Sequence, residues 1–531
     1  MQFYHSHWVL TFLIFFPLVA ALATWAAGEE RAREVALGAG IVEFLVSLPL
    51  FWTYQPGKAC DLFPSGAFQN CVSAAWFPQW GIRYQLGMDG ISLFMVLLTT
   101  LLLPLMVLGS WTYIRERRRG FYASLLALTT GVVGVFVALD LFLFYVVWEV
   151  MLIPMYFMIG IWGGRERIYA AVKFFLFTTV GSLLMLVAIL WLFWHFQGLP
   201  GPGGAPPHPS FSYFDFLGMP LTHSQQRYLF LAFALAFAIK VPIFPFHTWL
   251  PHAHVQAPTA GSVVLAGVLL KMGTYGFIRF AVPLFPDTAR GPSTVKWAMA
   301  LGLVGIIYTA MVAAVQPNAK KLVAYTSVAH LGFVILGVFA YNLQGLQGAL
   351  LVMIGHGLST PMLFFMLGML YERRHSYEID DFGGLAASVP LFATLLVFAG
   401  MASIGLPTTA GFVSEFLVLL GAFQSHPWFA LAAATGVIFA AYYMLPMVQK
   451  VAFNALSKPA NRLIPDLNGR ELAVLLPLVA LILWIGFYPR PFLDRMEPSA
   501  NSVLQAAAQT RALDAPALAP SGGGVAMSRA R

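Results

Sequence analysis

The sequence predicts an all-α polytopic membrane protein of about 14 transmembrane helices, with two inverted five-helix repeats that each contain a broken helix. Of its 531 residues, 59% are hydrophobic and only 10% are charged, whereas a soluble domain has about a quarter of its residues charged. Apolar runs of about 20 residues, the length that crosses roughly 30 Å of hydrocarbon, follow one another along the chain. Two of these runs are interrupted by proline and glycine.

Fourteen apolar runs are long enough to span a bilayer. They cover residues 8–27, 34–53, 90–113, 121–139, 141–162, 169–195, 227–252, 258–281, 294–315, 321–340, 345–371, 389–425, 427–449 and 471–488. The first run lacks a basic flank and continues into further spans, so it is predicted to be a transmembrane helix and not a cleavable signal. The connection 197–210 is rich in Gly and Pro, and the chain after Ala500 is rich in small residues, which indicates flexible segments.

Lysine and arginine fall unevenly on the two predicted sides of the bundle. Seventeen of them share one side: Arg31, Arg33, Arg115, Arg117, Arg118, Arg119, Arg165, Arg167, Lys173, Lys320, Lys321, Arg373, Arg374, Lys450, Lys458, Arg462 and Arg470. By the positive-inside rule this side is cytoplasmic, which puts both termini on the outer side of a bacterial inner (plasma) membrane. The same clusters explain the net charge of +8 without a nucleic-acid partner.

The two interrupted runs indicate an internal repeat. Run 227–252 contains Pro242, and run 389–425 contains Pro407, and the two prolines align at a shift of 165 residues. Each run is the fourth of a block of five, and an odd number of crossings makes the two blocks start on opposite sides. The predicted organisation is three N-terminal helices in 1–114, a first repeat in 115–283, a second repeat in 284–455, a fourteenth helix in 456–489 and a mobile tail in 490–531.

Six ionisable residues inside the spans are candidates for a proton pathway: Glu149, Lys240, Lys271, His330, His356 and Glu415. A full charge at the bilayer centre costs about 2.5–3.5 kcal/mol, so two acids and two lysines left unpaired would cost on the order of 10 kcal/mol. A carboxylate that approaches a buried lysine favours the charged lysine, so a movable Glu149 could switch the proton of Lys240. The alternatives are an ion pair that only holds helices together and, for the two histidines, ordinary hydrogen-bonded core residues.

Other polar residues have plainer interpretations. His247, His252 and His254 lack a cysteine or carboxylate to complete a metal site, so we expect no metal here; His247 and His254 are instead candidates for proton entry. Glu43 is predicted to make a structural hydrogen bond, and Asp89 to cap the third helix. Cys60 and Cys71 form either a disulfide or two free thiols.

The chain resembles the antiporter-like membrane subunits of respiratory complex I, the proton-pumping NADH:quinone oxidoreductase. The resemblance covers nearly the whole chain, through "GMDGISL", "WEVMLIPMYFMIGIWGG", "AFAIKVPIFPFHTWLPHAHVQAPTAGSVVLAGVLLKMGTYG", "AYTSVAHLGF", "GHGLSTPMLFF" and "GLPTTAGFVSEF". Within that family Glu415 is typical of the M type (chain 4), because relatives of the L and N types and cation/proton antiporter subunits carry lysine there.

The resemblance implies a translocase subunit without redox chemistry of its own. Glu149 and Lys240 would serve the first repeat, Lys271 the centre, and His330, His356 and Glu415 the second repeat. Flavin, iron–sulfur clusters and quinone are expected in partner subunits, with L-type and N-type neighbours and lipid around this chain. A cation/proton antiporter subunit, a membrane-bound hydrogenase subunit and a passive scaffold bundle are the alternatives.

Overall fold

The computed structural model describes residues 4, 6, 8–63, 68–199 and 208–509. The principal helices in chain order are α1 (Trp8–Ala26), α2 (Gly28–Thr53), α3 (Gly90–Gly109), α4 (Arg118–Val137), α5 (Leu141–Val150), α6 (Leu152–Trp162), α7 (Arg167–Gln197), α8 (His223–Lys240), α9 (Trp249–Gln256), α10 (Thr259–Leu284), α11 (Pro292–Ala314), α12 (Ala319–Val338), α13 (Leu343–Arg374), α14 (Pro390–Ile404), α15 (Ala410–Ser425), α16 (Pro427–Phe453), α17 (Gly469–Phe487) and α18 (Arg490–Ala508). Within the described ranges, twelve helices are long and apolar enough to span a membrane, α5 and α6 counting as one. The broken helices α8/α9 and α14/α15 supply two more crossings, so the fold prediction is confirmed.

Successive crossings alternate between two faces of the bundle. One face carries the antiparallel strands β1 (Gln69–Phe77) and β2 (Ile82–Met88), and we call it the hairpin face. The opposite face, which carries the connections 110–117, 163–166 and 375–389, is called the basic face. Helix α4 begins at the basic face and α11 at the hairpin face, so the two five-helix blocks run in opposite directions through the bundle.

The β-hairpin is fixed to the first repeat by a capping aspartate. Asp140 accepts hydrogen bonds from the backbone N–H groups of Phe142 and Leu143, which begin α5, and from the N–H of Arg83 in β2, all at 3.0 Å. Burial raises the pKa of Asp140 to about 6. The segment before β1 is closed by a disulfide between Cys60 and Cys71, one of the two alternatives that the sequence leaves open.

The two predicted breaks are present at the expected residues. Helix α8 ends at Lys240, and after a short 3-10 turn at Phe246–Thr248 the α-helix resumes at Trp249. Pro242 and Pro245 have no N–H group to continue the backbone hydrogen bonds of an α-helix through this segment. Helix α14 ends at Ile404, where Gly405 adopts a left-handed φ of 84° that glycine tolerates without strain.

The bundle centre is made by two helices. The apolar windows of α10 and α13 are 100% buried, whereas those of α1, α2, α7, α11, α16 and α17 are only 33–44% buried and present apolar side chains outward. Because α10 carries Lys271 and α13 carries His356, these two polar groups lie in the middle of the protein and not at its lipid surface.

The predicted mobile tail is wrong for residues 490–508, which form α18. Phe492, Met496, Ala500 and Val503 are spaced three or four residues apart and are all buried, so they form one apolar face that packs on the hairpin face of the bundle. The Ser499 hydroxyl also accepts a hydrogen bond from the N–H of Gly90 at the start of α3, at 2.9 Å. The rest of the predicted tail, residues 510–531, and most of the predicted loop 197–210 lie outside the described residues.

The structural hydrogen bond predicted for Glu43 is also wrong. Its side chain is fully buried, yet neither carboxylate oxygen has a hydrogen-bond partner within the described residues. The same face of α2 is used for close packing on α3, where Gly40 touches the Pro104 backbone. A polar contact between α2 and α3 is formed one turn after Glu43 by Ser47 and Thr100, whose hydroxyls are 2.6 Å apart.

Candidate proton pathway at the bundle centre

Four of the predicted residues form a continuous polar row, which we call the central row: Lys271, His356, His330 and Glu415. The Lys271 ammonium is 2.6 Å from His356 Nδ1. The rings of His356 and His330 are 5.5 Å apart between centroids. His330 Nδ1 is 2.8 Å from Glu415 Oε1. The row therefore joins the last helix of the first repeat to the broken helix of the second.

The central row is almost completely shielded from the surface. Lys271 is 0% exposed, and His356, His330 and Glu415 are 4%, 7% and 6% exposed. The second nitrogen of His330 is 3.4 Å from the Ser403 hydroxyl, whereas Nε2 of His356 has no hydrogen-bond partner among the described residues. A buried polar nitrogen without a partner is costly unless water reaches it, so His356 Nε2 marks a place where a water molecule would be stabilised.

A local widening of α10 helps to hold Lys271. The segment Leu265–Leu269 is a π-helix, in which each turn contains one extra residue. The ammonium of Lys271 donates a hydrogen bond to the carbonyl oxygen of Ala266, five residues earlier, inside this widened turn. The main chain thus provides an acceptor for the lysine. In a regular α-helix this carbonyl oxygen would accept a hydrogen bond from a backbone N–H group.

Each helix break lies close to an ionisable residue. Lys240 occupies the last turn of α8, and Glu415 lies in the second turn of α15. The C-terminus of a helix carries a partial negative charge and the N-terminus a partial positive one. Lys240 is therefore next to a helix end of opposite sign, whereas Glu415 lies beyond the first turn, where this effect has largely fallen off.

Glu149 and Lys240 are close to one another in the fold but are not hydrogen-bonded. The Lys240 ammonium donates to the Met151 sulfur at 3.8 Å and lies 5.4 Å from the Trp148 ring and 5.6 Å from the Phe174 ring. Glu149 Oε1 is buried without a hydrogen-bond partner in the part of the chain that the structure describes. The fifth crossing is interrupted directly after Glu149, between α5 and α6, so this carboxyl group sits at a second irregular point of the backbone.

The first repeat reaches the central row through tight packing of α8 on α10. A Cβ atom at Gly273 would come within 2.8 Å of the Phe237 carbonyl oxygen, and one at Gly276 within 2.4 Å of the Phe237 ring. Gly273 is two residues from Lys271, and Phe237 is one turn before Lys240. Helices α8 and α10, which carry Lys240 and Lys271, therefore pack more closely here than residues larger than glycine at positions 273 and 276 would allow.

The three histidines near the first break do not converge. His247 stacks on Phe244 at 5.6 Å, and His252 Nδ1 is 2.9 Å from the Thr248 carbonyl oxygen. His254 is fully buried against the Phe364 ring, and its two nitrogens lack hydrogen-bond partners among the described residues. No group of three possible metal ligands is found in those residues.

Sequence reasoning missed the burial of Lys320. It was counted with the exposed basic residues, but it is 2% exposed, and its ammonium donates to the Ala257 carbonyl oxygen at 2.6 Å and lies 5.0 Å from the Tyr377 ring. Its position in the first turn of α12, directly after the Asn318 cap, resembles that of a surface lysine. No signal in the sequence separates the two cases, because the burial comes from the α9–α10 connection that folds over it.

The sequence also leaves Arg279 without a role. It forms a buried ion pair with Asp89, which at the same time caps α3 through the N–H groups of Ile91 and Ser92, at 3.1 and 2.9 Å. The predicted cap is thus confirmed.

Comparisons with known proteins agree with this architecture. The family described as NADH:quinone oxidoreductase/Mrp antiporter, TM, matches residues 138–483, and the family described as NADH-ubiquinone oxidoreductase chain 4, amino terminus, matches residues 62–134. The chain belongs to the NADH:quinone oxidoreductase/Mrp antiporter transmembrane family. The resemblance stated from the motifs is confirmed.

The relatives of this family member include subunits of the M type. NADH-quinone oxidoreductase subunit M of Rhodobacter capsulatus is 45% identical over 509 residues, which is 94% of this chain and 96% of the relative. Its counterpart in Escherichia coli strain K12 is 39% identical over 506 residues, which is 94% of this chain and 98% of the relative. The predicted M type is therefore confirmed.

Solved structures show the same fold. A chain of respiratory complex I from Thermus thermophilus with bound NADH superimposes with a TM-score of 0.84 at 32% identity, covering 94% of this chain and all of that one. A chain of the Mrp complex from Dietzia sp. DQ12-45-1b superimposes with a TM-score of 0.78 at 20% identity, covering 94% of this chain and 99% of that one, which shows a common fold alone.

Proposed function

We propose that this chain is a proton-translocating membrane-arm subunit of an NADH:quinone oxidoreductase, and that its translocase activity is carried by the central row. The observation that carries the proposal is the buried contact sequence Lys271, His356, His330 and Glu415. Each member can bind or release a proton, and a group that only stabilises the fold needs no such sequence of neighbours. The names and coverage of the relatives support the assignment to this enzyme.

Proton movement along the row follows from its chemistry. A proton leaves the Lys271 ammonium for His356 Nδ1, a water molecule links the two imidazoles, and His330 passes the proton to the Glu415 carboxylate. Histidine suits the two middle positions because one ring nitrogen can accept a proton while the other donates one.

Glu149 and Lys240 provide the control element in the first repeat. When the Glu149 carboxylate approaches Lys240, it stabilises the charged ammonium; when it withdraws, the charge in this apolar setting becomes unfavourable. Two ammonium groups in one dry region repel each other, so the charge on Lys240 changes the tendency of Lys271 to give up its proton. Electron transfer in other subunits would act on this chain through such a charge change.

Proton entry is assigned to the region between the first break and the basic face. His247 and His254 lie on this side of Lys240, and the carbonyl of Val255, next to His254, is 3.4 Å from the Lys320 ammonium. The basic face is cytoplasmic in this proposal, and both termini lie outside a bacterial plasma membrane. Flavin, iron–sulfur clusters and quinone belong to partner subunits, and L-type and N-type subunits are the neighbours.

The test uses the assembled enzyme in proteoliposomes, where NADH oxidation and proton uptake are measured together. Lys240→Met and Glu149→Gln are each expected to lower the protons moved per NADH, while the subunit still assembles. Lys296→Met, on the exposed start of α11, is the matched control and should leave the ratio unchanged. If either the Lys240 or the Glu149 variant pumps like the parent enzyme, the chain is a scaffold and the proposal is wrong.

A further inference from the structure

A second polar line starts at Lys271 and runs toward the hairpin face. Lys271, Tyr275 and Arg279 are spaced four residues apart on α10, so their side chains follow one stripe about 12 Å long. The Tyr275 hydroxyl is 3.3 Å from Arg279 Nε and 3.2 Å from the Ser92 hydroxyl, and it donates to the Phe136 carbonyl oxygen at 2.9 Å. The central row therefore has a second possible connection to the surface.

A polar cavity approaches this line from the hairpin face. It has a volume of about 170 Å³ and lies between Arg279, Tyr213 and the residues Ser502 and Gln505 of α18. Gln505 is exposed, so the cavity reaches the surface of the described residues there. A polar space of this size holds several water molecules. Arg279, which is almost fully buried, is among the residues that line the cavity.

The Arg279 guanidinium is held in place by an ion pair and two aromatic rings. It pairs with the Asp89 carboxylate, and it lies 4.8 Å from the Phe68 ring and 5.4 Å from the Tyr275 ring. Arg279 and Asp89 are 3% and 2% exposed. A buried ion pair contributes little to stability compared with apolar residues of the same size, so its presence at this point calls for another reason.

We infer that Arg279, held by Asp89, is a positively charged plug that separates the outer cavity from the central row. A fixed positive charge in a narrow polar passage repels an excess proton, while neutral water can still approach it. The plug keeps protons on Lys271 from leaving directly toward the hairpin face and keeps outside protons from entering. Arg279 is thus a positioning residue for the direction of transport, and the inference rests on the proposed function of Lys271.

The test measures passive proton leak, which needs no electron transfer. The assembled enzyme is reconstituted in vesicles without NADH, a potassium diffusion potential is applied, and internal pH is followed with a trapped dye. Arg279→Met is expected to raise the leak about tenfold, the factor given by one unit charge acting over about 12 Å at an effective dielectric constant of about 20. Arg279→Lys keeps the charge and should remain tight.

Two further variants make the result specific. Arg290→Met removes an arginine at the same end of the protein that stacks on Tyr341 at 5.4 Å, and it should leave the leak unchanged. The double variant Arg279→Met/Lys271→Met should return to the parent leak, because the opened passage then ends without a proton acceptor. A leak in Arg279→Met that persists in the double variant would show general loosening of the fold and overturn the inference.

The outcome is distinguishable from failure of the proposed function. If Arg279→Met stays tight but lowers protons moved per NADH, Arg279 belongs to an exit route and is not a plug. If Lys240→Met pumps normally, the proposed function is wrong whatever the leak assay gives. Should Arg279→Met not assemble, Arg279→Gln provides the second variant, because glutamine can still donate a hydrogen bond to Asp89 but carries no positive charge; it should leak as well, and a tight Arg279→Gln enzyme would refute the plug.

Discussion

Replacing Glu415 by glutamine tests the central row most directly. Glutamine has nearly the same size and keeps a carbonyl oxygen near His330, but it carries no negative charge and cannot take up a proton. Glu415 is 6% exposed and its Oε1 is 2.8 Å from His330 Nδ1. The substitution therefore changes the charge at the end of the row with little change in packing.

The size of the effect follows from the type of hydrogen bond that is lost. A hydrogen bond to a charged group contributes about 1.5–3 kcal/mol and a neutral one about 0.5–1.5 kcal/mol. The difference, about 1–1.5 kcal/mol, is roughly a tenfold weakening of the contact between His330 and residue 415. Because the terminal acceptor is also gone, we expect transport through this chain to fall by at least that factor.

The assay compares the initial rate of proton uptake into proteoliposomes with the rate of NADH oxidation by the same preparation. Glu415→Asp, which keeps the charge, should retain part of the transport. Glu166→Gln, at an exposed acid between α6 and α7, should behave like the parent. An assembled Glu415→Gln enzyme that moves as many protons per NADH as the parent would refute the role of the row.

Three further predictions concern packing, capping and burial. Gly273→Ala places a Cβ atom 2.8 Å from the Phe237 carbonyl oxygen and should lower the stability of the subunit by about 1–3 kcal/mol. We expect a lower yield of assembled subunit on native gels. Gly38→Ala, where the new Cβ atom meets open space, should leave the yield unchanged. Burial raises the pKa of Asp140 to about 6, so its contribution to stability is present below about pH 4 and is lost as the pH rises through 6. The free energy of unfolding should fall by about 2–3 kcal/mol over this range. Asp140→Asn should remove this pH dependence, which can be measured by hydrogen exchange at the hairpin. Lys320→Met leaves the carbonyl of Ala257 without its donor and should cost about 1–3 kcal/mol of thermal stability, which Lys320→Arg should partly restore.

The crossings and the breaks could be predicted because they depend on local composition. A run of 20 apolar residues has few alternatives to a membrane span. The closely spaced Pro242 and Pro245, and Gly405 with Pro407, interrupt a helix, whereas a single proline such as Pro361 stays inside α13. The charged residues could be selected for the same reason, since charge in an apolar run is costly by itself. These signals need no knowledge of which helices are neighbours.

Contacts between distant helices could not be predicted in this way. Whether Glu149 touches Lys240 depends on the rotation of α5 and α8 about their axes, and hydropathy does not report rotation for helices that are apolar all round. The π-helical segment before Lys271 arises from packing in the bundle centre, and its sequence, "LAGVL", has no special composition. Helix α18 was overlooked because its apolar residues are few and separated, a pattern that becomes informative only beside a surface that they can cover.

The proposed function requires a proton to cross the buried central row without a large increase in free energy. The charges of the row bear on this requirement. In one arrangement Lys271 is positive and Glu415 is negative; after a proton has passed along the two histidines, both end groups are neutral. Both arrangements have the same net charge, so the transfer adds no charge to the low-dielectric interior, where an isolated ion would cost several kcal/mol. A change elsewhere that interacts differently with the two arrangements shifts the balance between them. Under the proposed function, a positive charge on Lys240 opposes the ammonium of Lys271 and favours the neutral arrangement. We therefore expect movement of Glu149 toward or away from Lys240 to shift the balance between the two arrangements.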